Sequence, residues 1–553
     1  MNAVAEALAA PFNTVAVLIR LHARAAPQRR AVLQDGKMLD YAALDSAMDR
    51  VAAALQRDGV QPGQVVALCA ATSLSYAVTY LGALRAGVVV APLAPGATAD
   101  SLALMLRDAG ARLLFTDRET AQLLQGRATD LPRIALDGAQ DGIPWPQWLA
   151  PAGPSPADVP VDADWPFNII YSSGTTGEPK GIVQPHGMRW VHVQRGDAYG
   201  YGAQTVTLLS TPLYSNTTLV VFFPTLAYGG SVVLMPRFDA AAWLQLAQQE
   251  RATHTMLVPV QYQRLLTHPA FDAYDLDSFH MKFCTSAPFS AALKAEVLAR
   301  WPGGLVEFYG MTEGGGTCIL DAHAHPDKLH TVGRPAQGHD IRLIDAQGKE
   351  VARGETGEVV GRSPGMMKGC HGRPDKTREA EWYAPDGQRF IRTGDIGRFD
   401  AQGFLTLLDR RKDMIISGGF NIYPSDLEAV LRQHPAVQDV AVVGVPSEQW
   451  GETPVAYVVP KKEPALAPEE LRTWMNQRVG KTQRLGDLRY LAELPRSAIG
   501  KILKRELRAL YAGGEHKKKR PVVDRPVRGR ERAYLAASGA LGSANLPPPA
   551  LAR

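Results

Sequence analysis

Cysteine is scarce in this sequence, and its few copies are scattered. Among 553 residues there are only four, none of them in a Cys-x-x-Cys pair: Cys69, Cys284, Cys318 and Cys370. This spacing argues against a disulfide scaffold and against a zinc site. The simplest compartment for such a chain is a reducing cytoplasm. No basic segment precedes an apolar core at the N-terminus, so we predict no secretory signal.

An excess of one charge is nearly absent as well. The formal net charge is +5, from 60 basic and 55 acidic residues. This excess lies between Glu515 and Arg532, where eight lysines and arginines accompany three acids. The rest of the chain is therefore close to neutral, whereas a nucleic-acid-binding domain normally carries a basic face. We predict no nucleic-acid partner.

Long uninterrupted apolar runs are also missing. A membrane helix needs about 20 predominantly apolar residues. Two weakly charged stretches, residues 59–84 and 198–236, are interrupted by Ser, Thr, Gly and Pro. The first predicts a strand, a helix ended by Gly87 and a second strand, and the second is broken by Pro212, Asn216, Pro224 and the pair Gly229-Gly230. We therefore predict no stable membrane insertion.

The remaining composition is that of an ordinary globular protein, with 46% hydrophobic and 21% charged residues. Strand-like and helical runs alternate through the first half, which predicts parallel sheets covered by helices. From about Thr331, turn signals between short alternating runs indicate antiparallel β structure, and after Arg410 the pattern returns to mixed α and β. Beyond Gly514 the chain is basic and weakly hydrophobic, which predicts disorder.

The segment 171–181, YSSGTTGEPKG, carries the strongest chemical signal and follows the apolar run FNII. Its glycines let the backbone approach an anion closely, and N–H groups, hydroxyls and Lys180 can then surround that anion. No Gly-Lys-[Ser/Thr] sequence closes it, so it is not a Walker A loop. A flexible surface loop is the alternative, but the strand before it and Lys180 favour phosphate binding.

Four further segments are weaker when each is taken alone. Residues 307–316, EFYGMTEGGG, offer an aromatic face, a hydroxyl and a carboxylate, as a base, a phosphate and magnesium would need. Residues 392–397, RTGDIG, place an Asp in a turn. Residues 409–424 have the pattern of a linker that leads into a new domain. Residues 495–505 carry a Lys directly after a Gly. A turn, a linker or a solvated side chain is the simpler interpretation of each.

Together, and in this order, the five segments resemble the adenylate-forming superfamily of acyl- and aryl-CoA synthetases, luciferases and peptide-synthetase adenylation domains. The resemblance covers residues 14 to 510. It implies an α/β multidomain fold with a large N-terminal domain, residues 1–411, of two parallel-type αβ sheets plus a small distorted β-barrel. A small mobile α+β C-terminal lid domain, residues 412–512, and a basic, disordered tail, residues 513–553, would follow.

The resemblance also implies an ATP site. Tyr309 would stack on adenine, Asp395 would bind the ribose hydroxyls and Arg410 would lie nearby. Thr312 would touch the α-phosphate, and Glu313 would help to bind Mg²⁺. The residues that would surround the phosphates are Ser172, Ser173, Gly174, Thr175, Thr176, Gly177 and Lys180.

Two half-reactions are implied by the same resemblance. Lys501 would bridge the substrate carboxylate and the α-phosphate during adenylation. Lys412 falls at the family's hinge, about which the small domain would rotate to bring a thiol-admitting face near Gly418 and Gly419. Trp450 matches a position where CoA ligases stack the CoA adenine.

The acyl pocket departs from the family pattern. Relatives carry a Pro-aromatic-His stretch where this chain reads TPLYSNT, with Tyr214 retained and Ser215 in place of the His. Ala287 and Gly310 are also small, so we expect a roomy pocket, and the adjacent Phe222-Phe223 pair is apolar. The acid is then expected to be an apolar monocarboxylate, aromatic or medium-chain, rather than acetate or a dicarboxylate. The alternative is that these residues only pack the domain.

We therefore expect an ATP-dependent acyl- or aryl-CoA synthetase, an AMP-forming acid–thiol ligase that uses ATP, Mg²⁺ and CoA. Two alternatives stay open: an enzyme that loads a carrier-protein phosphopantetheine, and a non-catalytic nucleotide-binding protein. Residues 481–486, KTQRLG, stand where many CoA ligases carry an aromatic-Lys-x-Pro stretch, which keeps the first alternative open. Retention of Lys501, Glu313 and Asp395 argues against the second. Whether the chain forms a homodimer is also left open.

Overall fold

The structure is a computed structural model that describes residues 3–127, 130–138, 141–153, 155–173, 179–417, 420–461, 466–497 and 500–518. Residues 1–508 form one compact unit and residues 509–553 a second. Within the described ranges, no helix is both long enough and apolar enough to span a membrane. The helices are α1 Ala3–Ala9, α2 Val15–Ala25, α3 Tyr41–Arg57, α4 Leu74–Arg85, α5 Ala99–Asp108, α6 Arg118–Leu123, α7 Trp145–Trp148, α8 His186–Gln194, α9 Asn216–Ala227, α10 Ala240–Gln249, α11 Pro259–Leu266, α12 Ala291–Arg300, α13 Pro374–Ala380, α14 Pro424–Leu431, α15 Pro468–Asn476 and α16 Lys504–Lys518.

The strands build four sheets. Those of the first two sheets are β1 Arg30–Gln34, β2 Lys37–Asp40, β3 Val65–Cys69, β4 Val89–Pro92, β5 Leu114–Thr116, β6 Arg133–Ala135, β7 Ile143–Pro144, β8 Pro166–Ser173, β9 Pro179–Pro185, β10 Val206–Leu209, β11 Ser231–Leu234, β12 His254–Leu257, β13 Met281–Cys284, β14 Gly304–Gly310, β15 Thr317–Asp321, β16 Arg334–Pro335 and, later in the chain, β19 Gly369–Cys370. Those of the other two are β17 Asp340–Ile344, β18 Thr356–Arg362, β20 Glu381–Tyr383, β21 Arg389–Phe399, β22 Leu405–Arg410, β23 Ile415–Ser417, β24 Phe420–Ile422, β25 Val437–Ser447, β26 Gly451–Pro460 and β27 Asp487–Tyr490.

The two large sheets are parallel in their centres, as the alternating pattern predicts. The nine-stranded sheet has the order β16-β15-β14-β13-β12-β10-β11-β1-β2, and the eight-stranded sheet has the order β19-β9-β8-β4-β3-β5-β6-β7. Pairs from β14 to β1 and from β8 to β7 run parallel, whereas the edge pairs β1–β2, β14–β15 and β8–β9 are antiparallel. Central strands such as β3 are buried along their whole length, which explains their uniformly apolar sequence.

Helices lie between these two sheets and form the main core with them. One continuous cluster of buried side chains joins Val32 of β1 and Leu68 of β3 with Tyr80 of α4 and Phe223 of α9. The Phe222-Phe223 pair is fully buried there, and Phe223 packs edge-on against Tyr80 and Phe167. This pair therefore takes part in the domain core, the alternative given for these residues, and its place beside the acyl pocket stays a prediction.

The two weakly charged stretches fold as α/β elements. The first forms β3, α4 and β4 as predicted, and the second forms β10, α9 and β11. Asn216 and Pro224 were predicted to break the second stretch, but Asn216 begins α9 and Pro224 lies within it. Because almost every side chain of α9 is buried, packing on both sides outweighs the hydrogen bond that Pro224 cannot donate.

The later part of the chain is mostly antiparallel. Strands β17, β18, β21, β20 and β22 form the small five-stranded sheet predicted from about Thr331 onward. A second five-stranded sheet, β24-β23-β26-β25 with β27 on β26, packs with α14 and α15 around a separate core. The predicted tail begins at residue 513, but α16 continues to Lys518, so residues 513–518 are helical rather than disordered. Residues 519–553 lie outside the described part of the chain.

Candidate active site

The predicted acyl-pocket segments meet at one edge of the nine-stranded sheet. Strands β10, β12, β13 and β14 are parallel neighbours, so their carboxyl ends lie side by side. The segment with Tyr214 and Ser215 follows β10, the segment with Ala287 follows β13, and Gly310 ends β14. The topology therefore brings together three regions that are up to 100 residues apart in sequence.

Hydroxyl groups join two of these segments directly. Ser215 caps α9, where its Oγ accepts a hydrogen bond from the Thr217 N–H at 3.3 Å. The Thr217 and Ser286 hydroxyls are hydrogen-bonded to each other, and Ser286 has a φ of 80°. Burial raises the pKa of the nearby Tyr214 to about 12. The segments thus contact each other through polar side chains, a feature that the expectation of an apolar pocket did not include.

Three predicted nucleotide residues form a connected network. The Tyr309 hydroxyl donates to Asp395 Oδ2 at 2.8 Å, and Arg410 Nε lies 3.1 Å from Asp395 Oδ1. Asp395 and Arg410 are direct partners of β21 and β22, whereas Tyr309 comes from β14 of the large sheet. Burial, and then the negative charge of Asp395, raise the pKa of Tyr309. The carboxylate is therefore held at the boundary of two sheets.

Charged groups from distant segments converge on Glu313 and Lys501. Burial raises the pKa of Glu313, while the positive charges of Lys501, Lys180 and Arg410 lower it. Lys501 remains exposed, but the surrounding protein walls lower the pKa of its ammonium, against the raising effect of Asp395 and Glu313. Lys501 thus lies near enough to the nucleotide network for the charges of Asp395 and Glu313 to act on it. A half-buried carboxylate such as Glu313 supplies the oxygen ligand that Mg²⁺ prefers.

Two glycines permit close contacts beside these charged groups. Gly314 has a φ of +73°, and a Cβ on it would lie 2.1 Å from the Gly365 carbonyl oxygen. Gly500, the residue before Lys501, has a φ of +74°, and a Cβ on it would lie 3.2 Å from the Val260 side chain. A side chain at Gly314 would displace the Thr312-Glu313 motif before it, and a side chain at Gly500 would displace Lys501 after it.

The phosphate-loop prediction is only partly within the described residues. Ser172 and Ser173 end β8, where their backbones pair with Lys180 and Pro179 of β9. Lys180 is close enough for its charge to act on Glu313. The remaining members of the predicted loop, Gly174, Thr175, Thr176 and Gly177, lie outside the described residues.

Sequence reasoning missed two side chains that support the Thr312-Glu313 segment. Gln184 Nε2 donates to the Thr312 carbonyl oxygen at 2.7 Å and so ties β9 to the loop after β14. Lys294 forms a buried ion pair with Glu307, and its Nζ also donates to the Leu329 carbonyl oxygen at 2.8 Å. Neither residue belongs to a motif, and each contact joins segments more than ten residues apart, so no local signal indicated them.

The turn that carries Lys412 is fixed on both sides. Arg411 Nη1 donates to Glu358 Oε2 of the small sheet at 3.0 Å, and Arg508 Nη2 of α16 donates to Asp413 Oδ1 at 2.9 Å. The Lys412 side chain is exposed, yet desolvation by nearby protein lowers the pKa of its ammonium. Its two neighbours in sequence are bound to different parts of the chain, an arrangement compatible with the hinge predicted at Lys412.

Replacement of Lys412 by proline should separate the two half-reactions. Proline fixes φ near about −65° and so opposes a large backbone change at this residue. Pyrophosphate release should survive, whereas thioester formation should fall by at least about tenfold. Single-turnover assays of each step would measure this, with Lys412→Ala as the control that keeps a free backbone. Equal losses in both steps would contradict the hinge assignment.

The predicted CoA residue Trp450 lies directly before β26 of the C-terminal sheet. Gly418 and Gly419 are outside the described residues, but Ser417, immediately before them, pairs with Gly451. Trp450, next to Gly451, is 43% exposed, and Ile416 is 52% exposed. An exposed aromatic ring beside an apolar side chain offers a stacking face for a planar base.

The contacts of Tyr309 and Arg410 with Asp395, and the charges of Lys180 and Lys501 near Glu313, agree with the class of adenylate-forming enzymes. The chain belongs to the AMP-binding enzyme family: the family's sequence model matches residues 19–371, and the model of its C-terminal domain matches residues 426–501.

Known relatives cover nearly the whole chain. A feruloyl-CoA synthase from Amycolatopsis sp is 36% identical over 496 residues, which are 88% of this chain and 97% of the relative. The fatty acid–[acyl-carrier-protein] ligase ScoC from Streptomyces coeruleorubidus is 31% identical and covers 92% of this chain and 98% of its own length. The crystal structure of ATP-bound MatB from Rhodopseudomonas palustris superimposes with a TM-score of 0.81 at 29% identity, over 90% of this chain and 99% of that one.

Proposed function

We propose that this ATP-dependent carboxylate–CoA ligase activates a monocarboxylic acid with an aromatic or medium-chain body. The carrying observation is the network in which Asp395 binds Tyr309 at 2.8 Å and Arg410 at 3.1 Å. Tyr309 directly precedes Gly310 of the acyl-pocket segments, and Lys501 is near enough for the charges of Asp395 and Glu313 to act on it. The small residues Ser215, Ala287 and Gly310 at that edge leave room for such a body. The similarity to a feruloyl-CoA synthase supports an aromatic acid.

The charges of this site suit adenylation. A carboxylate is a poor electrophile, and attack on the α-phosphate of ATP brings two anions together. Positive charge and positioning therefore do more for the reaction than a covalent nucleophile would. Lys501 would hold both anions, Thr312 would contact the α-phosphate, and Asp395 with Tyr309 would hold the ribose and the base. The acyl-adenylate then carries AMP as its leaving group.

CoA is the expected acceptor thiol, and the exposed Trp450 supports it as a stacking surface. The similarity to ScoC, which is named for an acyl-carrier-protein substrate, keeps carrier-protein loading as the second candidate. Thioester formation on free CoA and on a phosphopantetheine-bearing carrier protein, measured side by side, would separate them. Faster transfer to the carrier protein would favour the second candidate. The cytoplasmic location remains a prediction from the sequence, and association into a homodimer is an open question.

The acid itself can be identified by a panel. We expect a cinnamate, benzoate, hexanoate or decanoate to give a higher kcat/KM than acetate, because each missing buried methylene forfeits about 0.8 kcal/mol. A C6 diacid should also be poor, since a second carboxylate must lose its water. Pyrophosphate release across these acids, with CoA present, is the measurement. A lead of more than about tenfold for acetate or the diacid would overturn the proposed acid class.

A further inference from the structure

Helix α8 carries three basic side chains at intervals of three residues, and a fourth joins them from a distant segment. Arg189, His192 and Arg195 share one side of the helix, since residues three apart lie on the same face. Arg195 Nη2 lies 2.6 Å from His339 Nε2. We call these four residues the α8 basic cluster. Among the described residues, no carboxylate lies within ion-pair distance of Arg189 or Arg195.

The cluster holds more hydrogen-bond donors than the surrounding protein can accept from. Arg189 is only 2% exposed; its Nη2 donates to Gln184 and, at 2.7 Å, to Asn216 Oδ1, but its Nε and Nη1 have no partner among the described residues. Nδ1 of His192 is buried and equally without one. A buried polar group without a partner costs free energy, so each such atom indicates a missing acceptor.

His339 shows the same imbalance. Its Nδ1 accepts a hydrogen bond from the Thr317 N–H at 2.9 Å, while its Nε2 faces the Arg195 guanidinium, which can only donate. A neutral imidazole accepts at one nitrogen, so one donor is left over. Burial, and then the charge of Arg195, lower the pKa of His339 to about 4, which is consistent with a neutral ring.

Contacts of the cluster place it beside the acyl-pocket segments. Arg189 binds Asn216, the residue after Ser215, and His339 binds Thr317. Thr317 is the direct strand partner of Gly310, whose Cβ position would lie 3.3 Å from the Thr317 hydroxyl. Through these contacts the cluster reaches both sides of the predicted pocket. It lies on and around α8, the helix that follows β9, and not beside Lys501.

Arg189 has a structural explanation that the others lack. Its guanidinium binds two amide oxygens and lies 5.6 Å from the centre of the Phe167 ring, a favourable cation–π distance. We therefore regard Arg189 as a positioning residue for Gln184 and Asn216. His192 keeps a buried ring nitrogen that has no partner among the described residues, and Arg195 faces His339 in a contact between two donors, because His339 Nδ1 already accepts from Thr317.

We propose that His192 and Arg195 form a specificity subsite for an oxygen-bearing group on the acid substrate, at the end opposite the reacting carboxyl. The group is a neutral hydrogen-bond acceptor such as a hydroxyl, in keeping with the proposed monocarboxylic acid. This proposal rests on the proposed function, because it assigns the cluster to the same acid. The oxygen of the substrate would be the acceptor that the buried donors lack. If these residues only filled space, apolar side chains of similar size would do so at a lower free-energy cost.

The test compares acids that differ only at the far end. Cinnamate, 4-hydroxycinnamate and 4-carboxycinnamate are assayed for kcat/KM with the wild-type enzyme and with Arg195→Met and His192→Leu. We expect the kcat/KM of the wild type for 4-hydroxycinnamate to exceed that for cinnamate by about tenfold or more, since a site built for a polar group rejects the analogue without it. This ratio should fall to within about threefold in both variants. Because the ratio is taken within each variant, a general loss of activity or stability cancels.

The control variant is Arg50→Met, the same change on α3, where Arg50 Nε donates to the Ala150 carbonyl oxygen at 2.8 Å. It should keep the wild-type ratio. A lead of the hydroxyl acid would support the subsite, whereas a lead of the carboxyl acid would overturn both the neutral group and the proposed monocarboxylic acid. Equal kcat/KM for all three acids, or a ratio that both variants leave unchanged, would overturn the subsite.

Failure of the proposed function is distinguishable from failure of the subsite. If no cinnamate is activated but decanoate is, the aromatic body is wrong, and the same comparison is made with decanoate and 10-hydroxydecanoate. If no acid in the panel releases pyrophosphate, the proposed function fails. A wild-type enzyme that activates decanoate and 10-hydroxydecanoate equally would overturn the subsite alone.

Discussion

Lys501→Ala should abolish adenylate formation and spare thioester formation from a supplied acyl-adenylate. Lys501 follows the Gly500 turn, and the charges of Glu313 and Asp395 act on its ammonium. Loss of one well-placed charge contact of this kind costs about 10²-fold or more in rate. Thioester formation should survive because Lys501 is expected to leave the site after the first half-reaction.

Pyrophosphate release and single-turnover thioester formation would measure the two steps. Lys349→Ala is a suitable control, because Lys349 is an exposed lysine on the small antiparallel sheet and should behave like the wild type. Near-normal pyrophosphate release by Lys501→Ala would refute the role assigned to Lys501.

Asp395→Ala should raise the KM for ATP strongly and lower kcat/KM by about 10²-fold. The carboxylate is the shared partner of the Tyr309 hydroxyl and the Arg410 guanidinium, so its removal frees both groups besides deleting the expected ribose contact. Hydrogen bonds to charged groups contribute about 1.5–3 kcal/mol each. Asp395→Asn keeps one acceptor and should lose less.

Steady-state kinetics at varied ATP would check this expectation. Asp400→Ala is the matched control, since Asp400 lies on the same hairpin and pairs with Lys328 at 2.9 Å, away from Tyr309. It should change stability but leave the KM for ATP unaltered. An unchanged KM for ATP in Asp395→Ala would contradict the nucleotide assignment.

Local sequence patterns predicted the helices and strands better than they predicted where these elements are interrupted. The run 65–92 reads correctly as strand, helix and strand because its apolar runs and Gly87 are local signals. Pro224 does not end α9, because burial between two sheets is a tertiary effect that a local pattern does not contain. The helical course of residues 513–518 was not expected from their basic, weakly hydrophobic composition.

In the candidate site, likewise, the motif residues were predicted and the contacts that support them were not. Tyr309, Asp395 and Arg410 were identified from motifs, and the structure brings them into direct contact. The supporting contacts of Gln184 and Lys294 join segments far apart in sequence, and their residue types are ordinary for a strand or a helix. The polar character of the acyl edge was also missed, because a buried arginine is recognisable only from its neighbours.

The two ion pairs beside Lys412 have a mechanical consequence. Arg411 is anchored to the small antiparallel sheet through Glu358, and Asp413 is anchored to α16 through Arg508. We propose that these anchors concentrate the rotation of the C-terminal sheet, expected for this family, in the backbone dihedral angles of Lys412. Since both anchors are ion pairs, the rotation should become less confined to Lys412 as the salt concentration rises.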